Sequence, residues 1–170
     1  MVNLMTKMVP IAITILSCKD RYIFLKRRNP PYEGLWSLVG GKIITGEHIQ
    51  TAAKREIVEE TGTTQVQAYN YRGIVSERLV DRDGTLSAHF LIFVGHAIVD
   101  DFKMNHHEGT LSLFTTEEID SNSSHFLPSD FEMFRRFREK SGGAQMHEAE
   151  LLHDEKGYHL TYYRVIANEH

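Results

Sequence analysis

The chain has one cysteine, Cys18, in 170 residues. An internal disulfide and a cysteine-rich metal site are therefore excluded. The place of Cys18 in an apolar run marks it as a buried structural thiol. Positive charge is also scarce: 19 Lys and Arg stand against 23 Asp and Glu, a formal net charge of −4. No general nucleic-acid-binding surface is implied, so a phosphorylated ligand would have to be held by a few local cations and a metal. No apolar run reaches membrane-spanning length, and residues 1–6 carry neither a cationic start nor a long apolar core. A soluble, cytoplasmic protein without membrane contact is expected. Internal repeats, low-complexity tracts and any sign of a second domain are missing. The length fits one domain, residues 1–170, able to bury about two-thirds of its unfolded surface.

What is present is a glycine-punctuated stretch running into a helix. Gly40-Gly41 ends the apolar run Leu35 to Val39, and Gly46 precedes Glu47. Helix formers then crowd Thr51 to Glu60, and Thr61-Gly62 stops them. Glycine takes the left-handed conformation without strain, so Gly62 is expected to end the helix. At roughly 100° per residue, Glu56, Glu59 and Glu60 fall at i, i+3 and i+4 on one arc. The apolar stripe Ile49, Ala53 and Ile57 overlaps that arc, which puts the glutamates at the edge of the buried side. Such carboxylates repel by a few tenths of a kcal/mol per pair on an exposed helix, and by more where water is excluded. Arg55, beside Glu56 and four residues before Glu59, relieves part of this. A divalent cation would relieve the rest, and hard oxygen ligands suit Mg²⁺ or Mn²⁺. For the three glutamates alone, a solvated acidic helix face is the plainer alternative.

The fixed positions taken together change the weight of that alternative. Gly41, five residues, Glu47, seven residues, then Arg55-Glu56-Ile57-Val58-Glu59-Glu60-Thr61-Gly62 resembles the Nudix box, which here spans residues 41–63. Thr63 stands where the pattern closes on Ile, Leu or Val, and Val39 where many members have proline. The resemblance implies an α+β fold of the Nudix type, an α/β/α sandwich around a mixed sheet. It also implies hydrolysis of a nucleoside diphosphate derivative with Mg²⁺ or Mn²⁺ as cofactor. By that resemblance the metal ligands are Glu56, Glu59, Glu60 and the backbone carbonyl of Gly40. Glu56 is the general base, with Glu59 or Glu108 as substitutes, and Arg55 orients the carboxylates. Gly41, Glu47 and Gly62 hold the structure, Glu47 by supporting the loop or by bridging through water. Lys42 stabilises leaving-group charge. Arg27, at a place where nucleotide-cleaving members put a phosphate-contacting arginine, is favoured over Arg28, although two adjacent arginines can also be a solvated strand end.

The remaining elements follow from periodicity and turn residues. Val9 to Leu16 and Tyr22 to Lys26 read as paired strands around the turn Lys19-Asp20-Arg21. Val66 to Val80, with Gly73 as a bulge, and Leu86 to Val99 read as a long hairpin around Arg82-Asp83-Gly84. His106-His107 has no third ligand at a fitting spacing and reads as loop. Leu111 to Phe114 is a strand and Thr115 to Ile119 starts a short helix. Ser129-Asp130 is expected to cap a helix whose Phe131, Phe134 and Phe137 enter the core, and Trp36 is also expected there. Ser141-Gly142-Gly143 is a loop before a hairpin of 149–153 and 158–166, so a C-terminal helix and hairpin fill residues 128–166.

Substrate is read from markers downstream of the box. No proline lies between Pro31 and Pro128, which argues against the ADP-ribose and NADH patterns. The tyrosine that dinucleoside polyphosphate enzymes place some seventeen residues past Gly62 is missing. The segment Glu108 to Phe114, then Glu117-Glu118-Ile119 and Pro128-Ser129-Asp130, is similar to MutT-like nucleoside triphosphate pyrophosphatases, 8-oxo-dGTP diphosphatases among them. The expected partner is thus a small-molecule nucleotide, with no stable nucleic-acid binding and a homodimer left open. The competing class is a nucleotide-sensing domain without activity. Such domains commonly lose box glutamates, and all four are present here.

Overall fold

The computed structural model describes residues 6–140 and 143–166. Ser141 and Gly142 of the expected loop, and Met1 to Met5, lie outside the described residues.

The organising strand is β1, Met8–Cys18. Its β-branched, apolar sequence suits a strand buried on both faces. Ile13 and Ile15 face a core that includes Phe24, Val75, Ile92, Phe134 and Phe137. Ala12 packs against Ala52 and Ala53, and Leu16 and Cys18 join Ile57 on the same side. One strand thus separates two layers, and its period of two assigns each side chain to a layer.

Neighbours divide the length of β1 among them. β2 (Arg21–Arg27) pairs antiparallel with its end, and β4 (Val39–Lys42) pairs antiparallel with Ile11 to Thr14. The two-residue β3 (Trp36–Ser37) pairs with β2. On the other edge β1 runs parallel to β6 (Leu86–Ile98), which forms a hairpin with β5 (Gln67–Asp81). The β5 register shifts between Tyr71 and Gly73, so the bulge expected at Gly73 is there. β7 (Asn105–His106) and β8 (Gly109–Phe114) extend the β2 edge, and β9 (Gln145–Asp154) with β10 (Gly157–Val165) extend the β5 edge. Among the described residues, ten strands make one mixed sheet in the order β10-β9-β5-β6-β1-β2-β8-β7, with β3 and β4 off that path.

Helix α1 (Ile49–Thr61) covers one face; α2 (Thr116–Ser121) and α3 (Pro128–Phe137) cover the other. This is the expected α/β/α layering in one domain. Gly62, at φ 66°, ends α1 in the left-handed conformation and donates its N–H to the Val58 carbonyl. Thr115 and Glu118 form a reciprocal capping box at the start of α2.

Several local expectations are corrected. Ser129 and Asp130 do not cap α3. That helix starts one residue earlier, at Pro128, whose missing N–H suits the first helical position. Both residues lie inside the first turn and are buried. Phe134 and Phe137 are core, but Phe131 is only partly buried, because its place on the helix turns it toward the rim. Trp36 is likewise partly buried, edge-on to Phe114 at 4.9 Å. Asn105–His106 is strand, not loop, because it pairs with Gly109 and Thr110. The terminal hairpin begins at Gln145, four residues early, because β9 also pairs parallel with β5 along Gly73 to Asp81. No described helix is long and apolar enough to cross a membrane.

Candidate active site

The glycine pair is explained by close approach. A Cβ on Gly40 would strike the Ala12 carbonyl of β1, and one on Gly41 would strike the carboxyl of Glu56. The box strand β4 therefore lies flush against β1 on one side and the helix carboxylates on the other. Alanine at Gly40 would push β4 off the β1 backbone, and alanine at Gly41 would displace the Glu56 carboxyl.

Arg55 is the hub of the helix face. Its Nε donates to Glu47 Oε1 at 2.8 Å, and Nη1 donates to Glu56 Oε1 at 2.6 Å and to Glu59 Oε2 at 3.1 Å. Nη2 donates to Glu47 Oε2 and to the Lys42 carbonyl, both at 3.0 Å. Five donor contacts on one guanidinium use its full fork. Glu47 also accepts the Ile44 N–H at 3.1 Å, closing the loop that precedes the helix. Hydrogen bonds from Arg55 hold the Glu47 carboxyl below its usual range, and the same bonds hold Arg55 firmly protonated. Glu47 thus ties the loop to the arginine.

Glu60 is in a different position. It is buried, with 3% of its surface exposed, and its Oε2 accepts the Gly40 N–H at 3.1 Å. Burial, and then the nearby Glu108, push its carboxyl well above the normal range. Glu56 is raised too, by burial first, against the opposing pull of Arg55 and with Glu59 and Glu108 adding to the rise. The sheet thus brings Glu108, 48 residues beyond Glu60 in sequence, to the same carboxylate group. Among the described residues no three acidic or histidine side chains already stand as a metal cage. The reason is visible: Arg55 draws Glu56 and Glu59 to itself, and Gly40 holds Glu60. The donor set nonetheless fits a hard divalent cation: burial first, with Glu108 adding, holds Glu56 and Glu60 above the usual carboxylate range, and oxygen donors held so gain from a nearby cation.

A cavity of about 520 Å³ opens beside these groups, bordered by Gly40, Gly41, Lys42, Glu56, Glu108 and Arg27. Arg27 borders it and Arg28 does not, and the Arg27 Nε donates to the Pro31 carbonyl at 3.1 Å. Lys42 is exposed at the rim. Thr63, the departure from the box pattern, is buried and its hydroxyl donates to Asp101 at 2.7 Å. A polar residue closes the box because a partner is waiting for it.

Two groups at this cavity were not singled out as site residues from sequence. Glu77 and Asp130 line its inner wall, each 3% exposed. Burial raises Glu77 to about 8 and Asp130 to about 7. Glu77 had a readable signal: it sits at an inward position of β5, between buried Val75 and Leu79. Asp130 reads from sequence as a helix cap and as part of the marker Pro128-Ser129-Asp130, not as a cavity residue. Its Oδ2 instead accepts the Leu38 N–H at 2.7 Å, across the molecule.

A family model described as NUDIX domain matches residues 6–137. The chain belongs to the Nudix family, pyrophosphohydrolases that act on nucleotide derivatives. Strands β9 and β10 lie beyond the matched range. The chain is similar to an RNA pyrophosphohydrolase of Campylobacter jejuni, 23% identical over 130 residues, covering 71% of this chain and 83% of the relative. It is 40% identical over 48 residues to an ADP-ribose pyrophosphatase of Methanocaldococcus jannaschii, 28% of each chain. Among solved structures, its fold matches the mutator MutT protein of Bacillus halodurans with TM-score 0.71 at 22% identity, over 93% of this chain and 97% of that one.

Proposed function

We propose that the protein hydrolyses a nucleoside triphosphate, normal or oxidised, to the monophosphate and pyrophosphate. The observation that carries this is one cavity with a carboxylate cluster and cationic rim at its mouth and an apolar, acid-floored interior. The mouth suits a polyphosphate and the interior suits a base.

Nudix hydrolases generally use divalent metal ions. Here Glu56, Glu59, Glu60 and the Gly40 carbonyl would hold Mg²⁺ or Mn²⁺. When bound, the ion neutralises phosphate charge and acidifies water. The chain's own residues supply the rest. Glu56, oriented by Arg55 on the cavity border, takes a proton from the attacking water as general base. Glu108, beside Glu56 and Glu60, is the nearest substitute for that role. Arg55 fixes the orientation of Glu56 and Glu59 through its fork. Arg27 and Lys42, on the cavity border, bind phosphate oxygens, with Lys42 stabilising the charge that develops on the leaving pyrophosphate. Because all four box glutamates are present and held by Arg55 or the Gly40 N–H, with Glu56 on the cavity border, a sensing domain without catalysis is the weaker reading. A pure binder gains nothing from carboxylates held against their own repulsion.

A second reading is favoured by one observation, the 130-residue alignment with an RNA pyrophosphohydrolase. The substrate triphosphate would then sit on the 5′ end of an RNA. The acidic net charge weighs against it. One panel tests both: nucleoside triphosphates, a 5′-triphosphorylated RNA, ADP-ribose and a diadenosine polyphosphate, each with Mg²⁺ and with chelator. The expected result is metal-dependent pyrophosphate release, fastest from a free nucleotide. Preference for the RNA or for ADP-ribose would replace this reading.

A further inference from the structure

The terminal hairpin, which lies beyond the matched range, reaches back to the cavity through one loop. That loop, between β2 and β3, closes on Arg27: the Gly34 N–H donates to the Arg27 carbonyl at 2.9 Å, and the Arg27 N–H donates to the Leu35 carbonyl at 3.1 Å. Within it Tyr32 is buried on the cavity wall and holds a φ of 73°. A bulky residue rarely takes this left-handed conformation, which persists only where its surroundings enforce it. The enforcing group comes from 126 residues away: Tyr158, the second residue of β10, accepts the Tyr32 N–H on its hydroxyl at 3.3 Å. The two rings meet edge-on with centroids 4.7 Å apart. Behind Tyr158 the ring of His153, on β9, stacks at 4.4 Å with 11° between the planes.

Packing alone accounts for part of this, since Leu79, Leu127 and Leu151 join Tyr32 in one apolar cluster and Tyr158 packs against it. Packing asks for a ring at position 158 and has no use for its hydroxyl. The hydroxyl holds a loop N–H instead, one residue after the carbonyl that holds the arginine of the site: Arg27 Nε donates to the Pro31 carbonyl at 3.1 Å. We propose that Tyr158 is a positioning residue of the active site, fixing Tyr32 and, through the Pro31 carbonyl, the side chain of Arg27 at the cavity border. Tyr158 does not itself border the cavity and acts only through the loop. This rests on the nucleotide reading above and deepens it, by making the hairpin of β9 and β10 the anchor of the loop that meets the substrate. A loop ordered beforehand presents Arg27 to phosphate without being ordered at the moment of binding.

The test uses the full chain with Tyr158→Phe, which keeps the ring and removes the acceptor, and with Tyr158→Leu, which removes both. Two quantities are read. One is the rate of tryptic cleavage between Arg28 and Asn29 in the folded protein, located by mass spectrometry. The other is KM and kcat for dGTP, dATP, dCTP and dTTP with Mg²⁺. Tyr158→Phe should raise the cleavage rate and KM by roughly 3- to 10-fold each, the weight of one neutral hydrogen bond, with a melting temperature within about 4 °C of native. Tyr158→Leu should raise both by at least about 10-fold. In either variant kcat should stay within about threefold, because a loop that positions substrate acts on binding. A merely structural role gives native cleavage and native KM in Tyr158→Phe, and in Tyr158→Leu a lower melting temperature at unchanged KM. Either result would overturn the proposal. Because Tyr158→Phe keeps the packing, it decides the matter even where Tyr158→Leu fails to fold. The cleavage assay needs no substrate and so separates this inference from the catalytic one. If none of the four triphosphates is hydrolysed but Tyr158→Phe exposes the loop, the anchoring stands and the hydrolytic reading falls. A loop no more exposed than in the native chain sinks the anchoring by itself.

Discussion

The two ends of the cavity use the same residue type in opposite electrostatic states. Beside the mouth, which Glu56 borders, Glu47, Glu56 and Glu59 share one guanidinium, and the Arg55 bonds hold Glu47 in its charged form. On the inner wall, Glu77 and Asp130 have no ion-pair partner among the described residues, and burial holds them toward their protonated forms at neutral pH. The difference teaches that a carboxylate's role follows from what surrounds it. Fixed charge at the mouth is suited to a cation and phosphates; neutral or shared protons inside are suited to hydrogen-bond reading of an uncharged ring.

The largest expected effect comes from removing the most buried acid of the box. Glu60→Gln should lower turnover by at least about 100-fold while leaving the circular-dichroism spectrum unchanged, since glutamine still accepts the Gly40 N–H. Near-normal activity with Mg²⁺ would remove Glu60 from the site. Next, Arg55→Ala frees Glu47, Glu56 and Glu59 from their common partner. Activity should fall by roughly 10- to 100-fold, through loss of orientation and not of a reacting group. The signature is partial recovery in Arg55→Lys, which keeps the charge without the fork. Recovery to the native level would show that charge alone matters.

The inner wall gives a pH-linked prediction. Glu77 and Asp130 bind their protons more tightly folded than unfolded, where their ordinary values are 4.5 and 3.8. Their stabilising contribution is therefore complete below about pH 4 and is lost as pH rises through about 7 and 8. Between pH 5 and 8.5 the native melting temperature should fall further than that of a Glu77→Gln, Asp130→Asn double variant, by at least about 5 °C. Parallel curves for the two proteins would place the titrating groups elsewhere. The smallest effect is expected at Thr63→Val, which restores an apolar residue to the end of the box and forfeits the bond to Asp101. The two terms oppose, so the melting temperature should move by less than about 2 °C.

The same contrast explains what the sequence could reveal. The mouth was legible because its geometry is local: glycines that must yield space, a helical period that gathers Glu56, Glu59 and Glu60, and an arginine within one turn of both ends. The layering was legible from β1 and α1, whose side-chain periods assign their faces. Glu108 could be placed only by resemblance, because the β2–β8 pairing that brings it in spans more than 80 residues. The inner wall was not legible. Glu77 reads as one polar residue in an imperfectly alternating strand, and Asp130 as a helix cap, until β5 and α3 face the same cavity. The start of β9 was missed for a related reason: its pairing with β5, not its own pattern, makes Gln145 to Glu148 strand.

The central claim is that the acidic face of α1 is a cation site with Glu60 as a ligand. The most direct measurement is a titration of the metal-free protein with Mn²⁺, followed by the magnetic-resonance signal of the free ion, on the native chain and on Glu60→Gln. The account predicts saturable binding to the native chain and an affinity at least about tenfold weaker in the variant, at unchanged melting temperature. Equal affinity in the two proteins would contradict it.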